Sequence, residues 1–245
     1  MAATERFSYG EHPSQVIHVW QPDVAEDAPF PVAVLLHGGW WRDRHDTQSM
    51  DRIASELAHS GWLVWNVEYR RIGGDGGGWP QTLDDVRAAL ALLGERISDG
   101  AEPGDPDRVV AIGHSSGGQL ALLSVPDSPV TAAVGLAPVT DLRACAEREL
   151  GENAVTDLLG AAPAKETYDA ASPVHNVPFG VPQLIVHGDA DSSVPAEQSR
   201  TYVAAARTAG DDAEFAEIRG ANHTAALDPG HESWRTVRAW MDALG

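Results

Sequence analysis

Seven apolar-rich runs recur along the chain, at residues 15–20 (QVIHVW), 32–38 (VAVLLHG), 62–69 (WLVWNVEY), 108–113 (RVVAIG), 131–138 (TAAVGLAP), 182–188 (PQLIVHG) and 213–218 (AEFAEI). Between most of them lie segments whose apolar residues repeat at helical period: 47–59, 81–97, 116–124, 196–209 and 231–243. Short buried runs with little polar alternation suit strands covered on both faces, and a chain that alternates such strands with helices must cross over between them. The pattern therefore predicts an α/β fold: a mostly parallel central sheet flanked by helices on both faces. Helix punctuation agrees. Thr82 precedes LDDVRAALALLGERI with acids in the first turn, and Pro195 opens a helix that ends near Gly210.

The stretch 141–180 breaks the alternation. Its Pro and Gly interruptions predict short helices, a cap-like insertion between two sheet strands that is long enough to cover a site. GGDGGGWP at 73–80 reads as a flexible loop. A chain of 245 residues, 43% apolar, supports one large core, so residues 1–245 are expected to form a single domain.

The chemistry starts at RVVAIGHSSGGQLALL, residues 108–123. Gly113-His114-Ser115-Ser116-Gly117 fits Gly-X-Ser-X-Gly, a pattern that 24 Gly and 15 Ser would produce about 0.14 times by chance in a chain of this length. Context makes it more specific: Ser115 falls where an apolar strand ends and a helix begins. A sharp strand-to-helix turn lifts a serine hydroxyl above the sheet, and its small neighbours allow the strained, closely approached backbone. The helix start also offers the Ser116 N–H to a developing oxyanion.

A serine is a poor nucleophile at neutral pH without a base, and the base needs an orienting acid. In the α/β-hydrolase arrangement the acid and then the histidine follow the serine in sequence. LIVHGDADSSVP (184–195) is a strand ending in a turn with two aspartates. Asp191 sits deeper in that turn and is the expected acid. Asp189 is an alternative that can instead cap turn backbone, and Asp141, after the preceding strand, is a third. Past the last strand only His223 and His231 remain. His223 lies in a loop, IRGANHTAALDP, and is the expected base, whereas His231 falls at the start of the final helix. Early in the chain VLLHGGWW (34–41) feeds a Gly-Gly turn that can aim main-chain donors at the serine, with Gly39 and Trp40 the expected pair and His37 in a structural role.

HGGWW, GHSSGG, HGDADSSVP and GANH, in that order, make the chain resemble the α/β-hydrolase superfamily from about residue 15 to 243. His37 to Trp41 is similar to the arylformamidase and small carboxylesterase branch, as is VEYRR followed by WPQTLDDV. The resemblance implies an acyl-enzyme mechanism on small esters or aryl amides, with Ser115 as nucleophile, His223 as base and Asp191 holding the imidazole. Ser116, Gly39 and Trp40 would stabilise the oxyanion, and no cofactor or metal is required. Trp41, Trp79 and His114 are expected to contact the substrate, the tryptophans by stacking on an aromatic leaving group. An acyltransferase, or a ligand-binding sensor reusing the fold, are the competing classes.

Composition narrows the partners to small molecules. A formal charge of −19, with no Lys/Arg run longer than Arg70-Arg71, repels phosphate backbones and anionic membranes. The sole cysteine, Cys145, excludes an intrachain disulfide and a cysteine-built metal site. MAATERFSYGEHPSQ carries no basic segment followed by an apolar stretch, so a cytoplasmic protein is expected.

Overall fold

The computed structural model describes residues 3–25 and 28–244. Among these residues eight strands form one sheet: β1 (Glu5–Ser8), β2 (Val16–Trp20), β3 (Phe30–Leu36), β4 (Leu63–Val67), β5 (Gly104–His114), β6 (Ala132–Leu136), β7 (Gln183–Gly188) and β8 (Ala213–Ile218). Their order is β1-β2-β4-β3-β5-β6-β7-β8. The first two strands pair antiparallel and β2 runs antiparallel to β4, whereas every pairing from β4 to β8 is parallel. β1 is the strand that no apolar run announced. ERFS lies on the sheet edge, largely exposed, and so needs no apolar pattern.

Among the described residues eight α-helices accompany the strands: α1 (Asp51–His59), α2 (Gln81–Ser98), α3 (Ser116–Leu123), α4 (Leu142–Glu147), α5 (Leu150–Leu159), α6 (Lys165–Ala171), α7 (Glu197–Ala209) and α8 (Glu232–Ala243). The two faces of β3 show how the core divides. Val32, Val34 and Leu36 join one apolar cluster with Leu83, Val86, Leu90 and Leu93 of α2 and Tyr202 and Val203 of α7. Ala33 and Leu35 join a second, with Ile53 and Leu57 of α1 and Trp234, Val237 and Met241 of α8. Side chains alternate across a strand, so a run that is apolar at every position is what a sheet buried on both faces requires.

Two boundaries differ from the sequence reading. α2 begins at Gln81, and Thr82 sits inside its first turn, its hydroxyl donating to Arg70 O at 2.8 Å and accepting from Gly78 N at 3.1 Å. Pro195 lies two residues before α7, which ends, as expected, at Gly210 in the left-handed conformation. Parallel strands put the carboxyl ends of β3, β5, β7 and β8 at one edge of the sheet, where loops from distant parts of the chain converge. No helix among the described residues is long and apolar enough to cross a membrane.

Candidate active site

Ser115 stands between β5 and α3 with φ 54° and ψ −119°, a conformation that costs a non-glycine residue on the order of 1–3 kcal/mol and persists because its surroundings enforce it. The Ser115 N–H donates to Leu136 O at 2.8 Å on one side. On the other, α3 approaches β3 so closely that a Cβ on Gly117 would lie 2.1 Å from Leu36 O. Only glycine fits there. The serine is almost fully buried and borders a cavity above the sheet edge.

Ser115 and His223 line one cavity of about 260 Å³, together with Gly38, Gly39, Trp40, His45, Ser49, His114, Ser193, Thr224 and Leu227. His223 comes from the loop after β8, and its Nδ1–H donates to Asp191 Oδ2 at 2.6 Å. Asp191 Oδ1 accepts from Ser193 N at 2.8 Å and Val194 N at 2.9 Å, so the same side chain builds its turn and holds an imidazole. Burial would raise the Asp191 carboxyl, but hydrogen bonds from His187 and His223 outweigh it and hold the acid well below the usual carboxylate range.

The alternatives have other partners. Asp189 accepts from Gly220 N at 2.6 Å, Asp141 caps α4 through Ala144 N at 2.9 Å, and His231 caps α8 by accepting from Ser233 N at 3.1 Å.

The Gly38–Trp41 segment after β3 is strained. Gly39, Trp40 and Trp41 all have positive φ, at 114°, 53° and 57°. The N–H groups of Gly39, Trp40 and Ser116 have no acceptor among the described residues, which leaves them available to an oxygen at the elbow. The loop is held from outside. His37 Nε2 meets Glu68 Oε1 at 2.9 Å, its ring stacks on Tyr69 at 4.5 Å, and the Tyr69 hydroxyl donates to His37 O at 2.6 Å. Glu68 also accepts from Thr47 N and pairs with Arg71 at 3.2 Å.

Two of the three expected substrate contacts are placed otherwise. Trp41 is fully buried, its indole N–H donating to Gln119 Oε1 at 3.0 Å, and it does not line the cavity. Trp79 packs against the core, with its backbone N–H on Leu158 O at 3.0 Å, and is likewise outside the cavity. Large aromatics beside a site were fitted into its foundations. His114 does border the cavity, but its Nε2–H donates to His223 O at 2.9 Å, and burial, helped by the charge of His223, pushes its pKa down to about 3. It is an uncharged prop for the His223 loop.

The insertion also differs in role. No residue of 141–180 lines the cavity. The insertion braces the loop after β3 instead: Arg42 donates to Gly151 O at 3.1 Å and Glu152 O at 2.7 Å and pairs with Asp157 at 3.1 Å. A Cβ on Gly151, whose φ is +65°, would lie 2.3 Å from the Trp40 ring. Residues that the sequence reading missed include Glu68, a lone carboxylate in an apolar run, and His187, a polar residue closing a buried strand four positions before Asp191. In both cases a polar side chain inside an apolar pattern was the available signal.

The sheet order and the serine elbow at the carboxyl edge define an α/β hydrolase. Residues 17–205 match the BD-FAE family model, and the chain belongs to the BD-FAE family. It is 28% identical to esterase LipC of Mycobacterium tuberculosis over 96% of this chain and 62% of that protein. A more distant relative, kynurenine formamidase avaC of Aspergillus versicolor, is 27% identical over 69% of this chain and 73% of its own length. The chain thus spans under two thirds of LipC. Among solved structures, esterase Est2 of Thermogutta terrifontis superposes with a TM-score of 0.79 at 23% identity, covering 99% of this chain and 91% of that one, which is a likeness of fold.

Proposed function

We propose that the protein is a serine hydrolase of small carboxylic esters. The observation that carries the reading is a strained, buried serine sharing one cavity with a histidine whose far nitrogen is held at 2.6 Å by a buried carboxylate. Ser115 Oγ attacks the carbonyl carbon while His223 Nε2 takes its proton, and the charge that develops on the carbonyl oxygen meets the N–H groups of Gly39, Trp40 and Ser116. Collapse breaks the bond to the alcohol, which leaves with the proton from His223. Water then attacks the acyl-serine by the same route, with His223 again as base. His223 and Asp191 supply everything the serine needs for proton transfer, so no cofactor enters these steps.

A cavity of about 260 Å³ suits a short acyl group. The formamidase relative keeps aryl formamides as a second substrate class, because formyl is the smallest acyl group and the oxyanion donors do not distinguish an ester from an amide carbonyl. A panel of p-nitrophenyl esters of rising chain length, with N-formylkynurenine alongside, tests both. Turnover that falls beyond butyryl is expected. Covalent labelling of Ser115 by a fluorophosphonate is expected as well, and no labelling would reject the mechanism. An acyltransferase would show transfer to an added alcohol exceeding hydrolysis in the same assay.

A further inference from the structure

Asp191 serves two imidazoles. Its Oδ2 accepts from His223 Nδ1 at 2.6 Å and also meets His187 Nε2 at 3.1 Å. His187 ends the apolar part of β7 and is 1% exposed. Its Nε2 also lies 2.9 Å from Val194 O, so it faces two oxygens that carry no hydrogen and must itself be the donor. Its Nδ1 meets the Ser199 hydroxyl of α7 at 2.7 Å. The ring is thus fixed at both nitrogens. Asp191 Oδ1 is completed separately, by Ser193 N and Val194 N, so His187 acts on the other oxygen.

We propose that His187 is a positioning residue for the acid: its Nε2–H occupies Asp191 Oδ2 beside His223, fixes the carboxylate plane and tempers the negative charge that His223 feels. The inference rests on the reading of Ser115, His223 and Asp191 as one catalytic set. A carboxylate shared between two donors stabilises a charged imidazole less than one devoted to a single partner. Removing His187 therefore lets the base hold its proton to higher pH. The other titratable groups around the pair leave that sign unchanged. His114, from the end of β5, has its ring 4.7 Å from His223 and is uncharged above its pKa of about 3, and His45, which lines the same cavity, is held towards its neutral form by burial and by Arg44. Asp189 is bonded to Gly220 N, and Arg200 of α7 pairs with Glu217 of β8 at the surface.

The test follows kcat/KM for p-nitrophenyl acetate from pH 5 to 9 in His187→Met, which removes the donor, and His187→Gln, which keeps one at the same reach. In the Met variant the acid limb is expected to move up by about half a unit to one unit, with a plateau about tenfold lower; in the Gln variant the limb stays near that of the wild type. A folded Met variant whose limb coincides with the wild type overturns the inference. Where the Met variant does not fold, 15N NMR of the wild-type imidazoles decides. A proton on His187 Nε2 is expected, and a bare Nε2 overturns the proposal. Ser115→Ala, assayed in parallel, separates the two readings. Turnover surviving in that variant rejects the catalytic set itself, whereas an inactive Ser115→Ala beside a wild-type limb in His187→Met rejects the role of His187 alone.

Discussion

The two loops on either side of Ser115 are held in opposite ways. In the acid turn, both oxygens of Asp191 are occupied by donors from the turn, from β7 and from the His223 loop, and the turn is made rigid by the side chain it presents. In the Gly38–Trp41 loop, the N–H groups of Gly39 and Trp40 remain without an acceptor among the described residues and three consecutive residues have positive φ. Such a loop cannot hold itself, because the donors that would tie it down are the ones its chemistry leaves open. Its rigidity comes from Glu68, Gln119 and Gly151, 31, 78 and 111 positions from His37, Trp41 and Trp40, respectively. A group that binds a charge in passing has to be kept idle by its neighbours.

The most damaging way to break the comparison is in the acid turn. Asp191→Asn is expected to lower kcat on the order of 10³-fold or more, as is Ser115→Ala, with circular dichroism showing both folded. An Asp191→Asn variant within tenfold of the wild type would show that the histidine needs no acid. Glu68→Gln tests the other loop. It touches no reacting atom, yet it removes the charge that meets His37, Thr47 N and Arg71, and kcat is expected to fall about 10- to 100-fold with KM little changed. An unchanged kcat would mean that the oxyanion loop is held by other contacts.

His114 links the His223 loop to the loop after β3, since it donates to His223 O and lies where a Cβ on Gly38 would approach its Nδ1 to 2.7 Å. Burial keeps its folded pKa near 3, well below the unfolded imidazole value of roughly 6.5. The unfolded chain therefore binds a proton that the folded one refuses. The contribution is complete above about pH 6.5 and is lost as pH falls towards 3, at up to ~1.4 kcal/mol per pH unit. Urea unfolding from pH 7 to 4 is expected to show a shallower decline in His114→Gln than in the wild type. Parallel declines would sink this assignment.

Gly151→Ala probes the brace on Trp40. It meets a positive φ and an occupied ring, and a destabilisation of about 1 kcal/mol with a severalfold loss of kcat is expected from thermal melts and ester assays. The smallest effects belong to Asp189→Asn and His231→Ala. Both are confined to backbone capping, and kcat within about twofold of the wild type is expected.

The same contrast sets what could be read from the sequence. The sheet strands and the turns carrying Ser115, Asp191 and His223 are local: a buried run, a break and a polar residue lie within a few positions of one another. β1 was not legible because an exposed edge strand needs no apolar pattern. Trp41 and Trp79 were misplaced because an indole beside a glycine turn has the same sequence signature whether it faces substrate or Gln119. The roles of Glu68 and His187 depend on partners brought together by the crossovers, which spacing along the chain does not encode.

The insertion that braces Trp40 leaves the mouth of the cavity to other residues. Ser49, Thr224 and Leu227 line the catalytic cavity and also a second, more polar cleft of about 470 Å³ that runs past Arg52, Asn222, Asp228 and His231. On the proposed chemistry, an alcohol released at Ser115 has a lateral path to solvent along that cleft. Product departure then requires no opening of the 141–180 segment.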